Sequence, residues 1–168
     1  MADTSEPLNV LFLCTHNSAR SILAEALLNH LGQGRFRAYS AGSSPRGNQQ
    51  PNPVGLQVLQ RAGVPVNGLR SKSWDEFARP DAPRMDLVIT VCDSAKGEMC
   101  PIWPGHPATA HWGVADPSEG DAPPEDRLEA FRHTMHLLRR RLVLLVNLPA
   151  DRLQKAALQG SARELAAH

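Results

Sequence analysis

Cys14 and Arg20 are separated by five residues, and Ser21 follows at once, in the stretch NVLFLCTHNSARS that runs from Asn9 to Ser21. A thiol, a guanidinium and a hydroxyl at this spacing can hold a tetrahedral oxyanion and attack it. Arginine offers a planar fork of donors that grips two oxyanion oxygens at once. The sulfur is a nucleophile only as thiolate, and a helix start, a cation and a hydroxyl donor all favour that form. Ser21 is placed to be the hydroxyl donor. The intervening residues Thr15, His16, Asn17, Ser18 and Ala19 make a loop whose N–H groups, with that of Arg20, can converge on one anion. Asn17 suits a tight turn there, because Asn tolerates left-handed backbone angles better than most residues. In isolation the same spacing also fits a buried structural cysteine with a chance arginine nearby. Its place between a strand and a helix favours the chemical reading.

The elements that would position these groups follow from the hydrophobic pattern. Val10 to Leu13 is a short apolar run suited to a buried strand of a parallel sheet. Ile22, Leu23, Ala26, Leu27 and Leu31 then recur at helical spacing until Gly32 and Gly34 end the pattern. Phe36 to Ala41 reads as a second strand at a sheet edge, Ser43 to Pro53 as loop, and Val54 to Ala62 as a second helix closed by Gly63. Ser73 starts a helical turn with Trp74 and Phe77 facing inward. Asp86 to Val91 is apolar enough for a central strand, and Ala108 to Trp112 is a short fourth. From Pro124, Leu128, Phe131, Met135, Leu138, Leu142 and Leu145 trace one stripe of a long helix that Pro149 stops, and Ala150 to Leu158 forms a short extra helix before a small-residue tail. This alternation predicts an α/β chain, a single-domain four-stranded parallel sheet with helices on both faces. The expected organisation is a flexible segment over 1–8, the domain over 9–148, and a C-terminal helix and tail over 149–168. Ligands of such sheets bind beyond the carboxyl ends of the strands, where Cys14 and Cys92 both fall.

Composition narrows the function classes. With 168 residues, 42% of them hydrophobic, the chain can bury one substantial core. A net charge of +1 is too balanced for a nucleic-acid or acidic-membrane surface. The cluster Arg139 to Arg141 reads as solvated charge late in a helix. Met1 to Leu8 lacks the basic start and apolar core of a signal peptide, and Leu142 to Val146 is far too short to span a bilayer, so a cytoplasmic protein is expected. Three cysteines cannot close into a purely structural disulfide framework. In a reducing compartment they read as catalytic or redox thiols, or as inert core residues.

CTHNSARS followed by ILAEALL resembles the signature of the low-molecular-weight tyrosine phosphatase family, in particular its arsenate reductase branch. The likeness extends to the segments from Tyr39 to Gly42, VCDSAKGEMCP and HWGVADP, and so covers most of residues 9 to 147. It implies reduction of arsenate, with phosphate or sulfate as competing oxyanions, and no tightly bound cofactor. On this resemblance Cys14 attacks arsenate, Cys92 then attacks the Cys14 sulfur as arsenite leaves, and Cys100 draws the disulfide away to an external reductant. Thioredoxin or a glutaredoxin/glutathione system would supply that reductant. The electron count agrees, since arsenic(V) to arsenic(III) takes two electrons and one disulfide supplies two. The Asp of the Asp116-Pro117 pair matches the family's general acid, which protonates the departing oxygen.

Several features keep other readings open. Cys100 sits among apolar Met99, Pro101 and Ile102, and free cysteines also pack as small hydrophobes. The Cys92 to Cys100 spacing lacks the close pairs of a zinc site, and His133 with His136 reads as surface histidines. Relatives that bind potassium use side chains matching Asn17, Glu25, Ser40 and Ser71, but Ser73 replaces an expected carboxylate, so no metal is assigned. Ser118, Glu119 and Gly120 follow the Asp-Pro pair where phosphatases of this kind carry aromatic residues against which a phosphotyrosine ring packs. The alternative to a reductase is a small tyrosine phosphatase working through a phosphocysteine. A third reading is a noncatalytic oxyanion-binding domain, against which intact Cys14, Arg20 and Asp116 argue.

Overall fold

A computed structural model of the chain describes residues 7–44, 47, 49–93, 103, 107–153 and 155–168. The strands β1 (Leu8–Cys14), β2 (Phe36–Gly42), β3 (Leu87–Thr90) and β4 (Ala108–His111) form one sheet in the order β2-β1-β3-β4, with every neighbouring pair parallel. The first-read strand is therefore central, flanked by β2 at one edge and β3 inside, as their apolar patterns led one to expect.

The pleat of β1 places Cys14. Successive side chains point to opposite faces, so Val10, Phe12 and Cys14 share one face while Leu11 and Leu13 share the other. The Cys14 face carries the main core, built with α1 (Arg20–Gly32), α2 (Pro53–Arg61), α3 (Pro124–Val146) and α4 (Lys155–Leu165). The opposite face holds a smaller cluster of Leu11, Leu13, Ala41, Met85 and Val88, covered by Tyr39, Trp74, Phe77 and Trp103. Trp74 and Phe77 belong to a 3-10 helix, Trp74–Phe77, that Ser73 caps by accepting from Asp75 N–H at 3.1 Å.

In α1, Ile22, Leu23, Ala24, Ala26, Leu27 and Leu28 are all buried, which is the pattern of a helix enclosed on most sides. It lies between β2 and α3, whose stripe Phe131, Met135, Leu138, Leu142 and Leu145 closes the core. Gly55 of α2 lets Phe131 approach, for an added Cβ would stand 3.4 Å from its ring.

Two expectations change. The C-terminal helix runs from Lys155 to Leu165 rather than stopping at Leu158, because Leu158, Ala162 and Leu165 bury against β4 and Trp112 donates its indole N–H to Ala162 O at 2.8 Å. Gln159 and Arg163 bond Thr109 N–H and C=O, so this helix also caps the β4 edge. Arg141 is not solvated charge. It is 6% exposed, donates to the carbonyls of Ala166 and His168, and lies over the Trp112 ring. Burial, with Arg140 adding to it, holds its guanidinium below the usual range. Among the described residues no helix is long and apolar enough to cross a membrane.

Candidate active site

Cys14 ends β1, and α1 begins six residues later with no side chain capping its N-terminus at Ala19. The open N–H groups and positive dipole end of α1 are thus left to the loop and to whatever it holds. Asn17 adopts φ +57°, the left-handed conformation that its residue type admits. That turn sends Asn17 N–H back to Cys14 Sγ at 3.0 Å. Ser21 Oγ stands 3.0 Å from the same sulfur. Because Asn17 Nδ2 donates to Ser21 Oγ at 2.8 Å, the serine's own proton is directed to the sulfur. The sulfur therefore has two donors beside it, and both are held by one buried asparagine, whose Oδ1 accepts from Lys72 N–H at 2.9 Å.

The loop is braced from below by the end of β2. Ser43 N–H and Ser44 N–H donate to the carbonyls of Cys14 and Thr15, and His16 Nδ1 pairs with Ser44 O at 3.1 Å. Asn52 N–H donates to Ser18 O at 2.8 Å. Gly42 makes this approach possible: a Cβ there would stand 2.6 Å from Thr15 O and 2.9 Å from the His16 carbonyl carbon.

Arg20, 7% exposed, is oriented by Nη1 donating to Val114 O at 3.0 Å, and its Nη2 lies 3.9 Å from Asp116 Oδ2. The two oxygens of Asp116 have different surroundings. Oδ1 accepts from Ser118 N–H at 2.9 Å and from Ser118 Oγ at 2.6 Å, leaving Oδ2 on the Arg20 side. Arg127 in turn donates to Ser118 O at 2.5 Å and to Gly120 O. Sequence reading marked Ser118 only as a missing aromatic, not as a partner of Asp116, and did not single out Arg127. The Asp-Pro-Ser turn was the available signal for the first.

Cys92 is fully buried just beyond β3. Leu13 pairs with Thr90, and Val91 N–H donates to Leu13 O at 2.9 Å, so Cys92 lies one position past the level of Cys14 on the adjoining strand. Cys14 is a free thiol and Cys92 is disulfide-bonded. Cys100 lies outside the described residues. Cys14, Thr15, His16, Asn17, Ser18, Ala19, Arg20, Ser21 and Asp116 thus lie toward the carboxyl ends of β1 and β4, and Cys92 follows the carboxyl end of β3.

Residues 9–158 match the family described as Low molecular weight phosphotyrosine protein phosphatase. The chain belongs to this phosphatase family. Within it, the arsenate reductase of Bacillus licheniformis is 34% identical over 125 residues, covering 73% of this chain and 84% of that protein. The crystal structure of arsenate reductase from Archaeoglobus fulgidus superposes with a TM-score of 0.66 at 26% identity, over 83% of this chain and 99% of that one. A thioredoxin-dependent arsenate reductase of Corynebacterium glutamicum gives a TM-score of 0.54 at 28% identity, over 83% of this chain and 63% of that one. The likeness to the reductase branch read from CTHNSARS is borne out, as is the four-stranded parallel sheet of this fold.

Of the residues matching the potassium ligands of some family members, Ser71 keeps a buried hydroxyl unpartnered among the described residues, but Glu25 is already engaged and does not fit such an ion here. Glu25 Oε1 accepts from Ser40 Oγ and lies 3.6 Å from the Lys72 ammonium, which also donates to Arg70 O at 2.8 Å. A cation of the chain itself already faces the carboxylate. Burial pushes the Lys72 ammonium below its usual range, and Glu25 opposes that shift. With side chains only 7% and 13% exposed, removing one partner strands the other. Lys72→Met is expected to cost about 3 kcal/mol in urea unfolding. Glu25→Gln added to it should restore at least about 1 kcal/mol relative to the sum of the single effects. Additive losses would show that the pair is not coupled.

Proposed function

We propose that the protein is a cytoplasmic arsenate reductase that turns over by a thiol relay. The observation that carries this reading is the Cys14 sulfur, placed at the start of α1 between the Asn17 amide and the Ser21 hydroxyl, with a second cysteine at the end of the adjoining strand. Arg20 and the loop amides of 15–20 grip arsenate while the Cys14 thiolate attacks arsenic. One As–O bond breaks, and Asp116 protonates the departing oxygen through Oδ2, so that water leaves and a Cys14–arsenic adduct remains. The Cys92 thiolate then attacks Cys14 Sγ. The S–As bond breaks with its electron pair going to arsenic, arsenite departs, and a Cys14–Cys92 disulfide holds the two electrons' worth of oxidation. Cys100 attacks Cys92 Sγ and frees the Cys14 thiolate, and an external dithiol or glutathione couple reduces the resulting Cys92–Cys100 disulfide.

Two further observations support this. Cys14 is free while Cys92 is disulfide-bonded, which fits two cysteines with different redox roles. Ser118, Glu119 and Gly120 offer no aromatic wall for a phosphotyrosine ring. The relative from Corynebacterium makes thioredoxin the first reductant to try, with glutaredoxin and glutathione beside it. The deciding assay measures arsenite produced under thioredoxin or glutaredoxin recycling alongside aryl-phosphate hydrolysis. Sustained arsenite formation supports the reductase. Ester hydrolysis with no arsenite would assign the chain to the phosphatases, and no turnover of either would leave an oxyanion-binding domain.

A further inference from the structure

The loop that carries Asp116 is long and mostly exposed from Glu119 to Pro123, yet its carboxyl must meet a departing oxygen to within a few tenths of an ångström. Its internal bonds are local. Ser118 ties Asp116 Oδ1, Glu119 N–H donates to Asp116 O at 3.3 Å, and Gly120 turns the chain at φ +86°. These fix the shape of the turn, and Arg20 ties the segment before it to the cradle through Val114 O, but neither holds the turn after Asp116 to the body of the fold. Arg127 supplies that hold. Its two outer nitrogens hold Ser118 O and Gly120 O, the carbonyls on either side of Glu119.

The position of Arg127 is itself unusual. It lies in the first turn of α3, where the helix dipole disfavours a cation, and where Glu125 and Asp126 are the residues expected. An arginine there gains its place from what its guanidinium binds. It is also well rooted, because Arg127 N–H donates to Pro123 O and the same helix buries Phe131, Met135 and Leu138 against α1. Since α1 starts at Arg20, the donor loop and the cradle are referenced to one pair of packed helices.

We propose that Arg127 is the positioning residue for Asp116, holding the Ser118–Gly120 turn so that Asp116 Oδ2 meets the leaving oxygen. This rests on Asp116 being the general acid. Arg127 bonds carbonyls rather than the carboxylate, and so acts through the loop and not on the reacting atoms.

The test exploits the fact that protonation matters only when the leaving group is poor. The value of kcat/KM is measured for a series of aryl phosphates, from dinitrophenyl to phenyl, in wild type, Arg127→Met, Arg127→Lys and Asp116→Asn. For phenyl phosphate, Asp116→Asn should lose about 10²-fold and Arg127→Met about tenfold, whereas the dinitrophenyl ester should change by less than about threefold in both. Inhibition by inorganic phosphate should be unchanged in Arg127→Met, and Arg127→Lys, which can hold one carbonyl at a time, should fall between. An equal loss across all esters, or none, in both Arg127 variants while Asp116→Asn steepens the series would overturn the inference. A flat series in Asp116→Asn would instead overturn the acid assignment on which it rests. Where ester hydrolysis is too slow to rank leaving groups, single-turnover arsenite formation is followed against pH. Arg127→Met should then alter the alkaline limb as Asp116→Asn does, and a uniform loss with that limb unmoved would count against it.

Discussion

Cys14→Ser is expected to remove both arsenite formation and ester hydrolysis, by at least about 10⁴-fold, while phosphate still binds within about threefold of the wild-type affinity. The reason lies in how the site divides its tasks. On the proposed mechanism binding belongs to the guanidinium of Arg20, oriented by Val114 O, and to the amides of the loop, all of which the substitution leaves in place, whereas attack belongs to the sulfur alone. A serine hydroxyl keeps its proton at neutral pH, and neither Ser21 nor Asn17 is a base that could remove it. Stopped-flow arsenite detection and phosphate titration by calorimetry measure the two halves separately. Retained turnover in Cys14→Ser would mean that another group performs the attack.

The second large effect separates reduction from hydrolysis. Cys92→Ser and Cys92→Ala are each expected to lower multiple-turnover arsenate reduction by at least about 10³-fold. Aryl-phosphate hydrolysis should stay within about threefold of wild type. On the proposed assignment hydrolysis would need only Cys14, Arg20 and Asp116, with water cleaving the phosphocysteine. The proposed reduction needs a second sulfur to take the Cys14–arsenic bond apart, and the register of Leu13 with Thr90 puts Cys92 just past the end of the adjoining strand. Because Cys92 is fully buried, the serine variant also places a hydroxyl in the core, and the alanine variant controls for that. Equal arsenite yields over many turnovers in both variants would contradict the relay.

Much of this site could be read from the chain because its chemistry is local. Cys14, Asn17, Arg20 and Ser21 lie within eight residues, and a strand end, a left-handed Asn and a helix start fix their mutual geometry with little help. The strands were legible for a related reason. Val10 to Leu13 and Leu87 to Ile89 are buried on both faces and therefore apolar throughout, while Phe36 to Tyr39 alternates at the sheet edge.

What could not be read was held by long-range contacts. Asn17 is locked through Lys72, 55 residues away, and no local pattern links the two. Lys72 itself reads as a surface cation until the fold brings it to Glu25. Arg141 sits in an arginine run that looks solvated, and only the return of the chain at Ala166 and His168 over Trp112 buries it. Gly42 falls in a segment whose likeness to the family was noted, but its purpose became visible only when Thr15 was found against its α-carbon. Arg127 carried a faint signal, a cation in a helix's first turn, that points to an unusual partner without naming it.

The central claim is that the chain's own sulfurs supply both electrons. It is tested most directly by mixing the fully reduced protein with excess arsenate in the absence of any external reductant, and counting arsenite and free thiols together. The account predicts one arsenite per chain with the loss of two thiols, and none of either in Cys92→Ala beyond the arsenic retained on Cys14. Arsenite released without thiol loss, or thiols lost without arsenite, would contradict it.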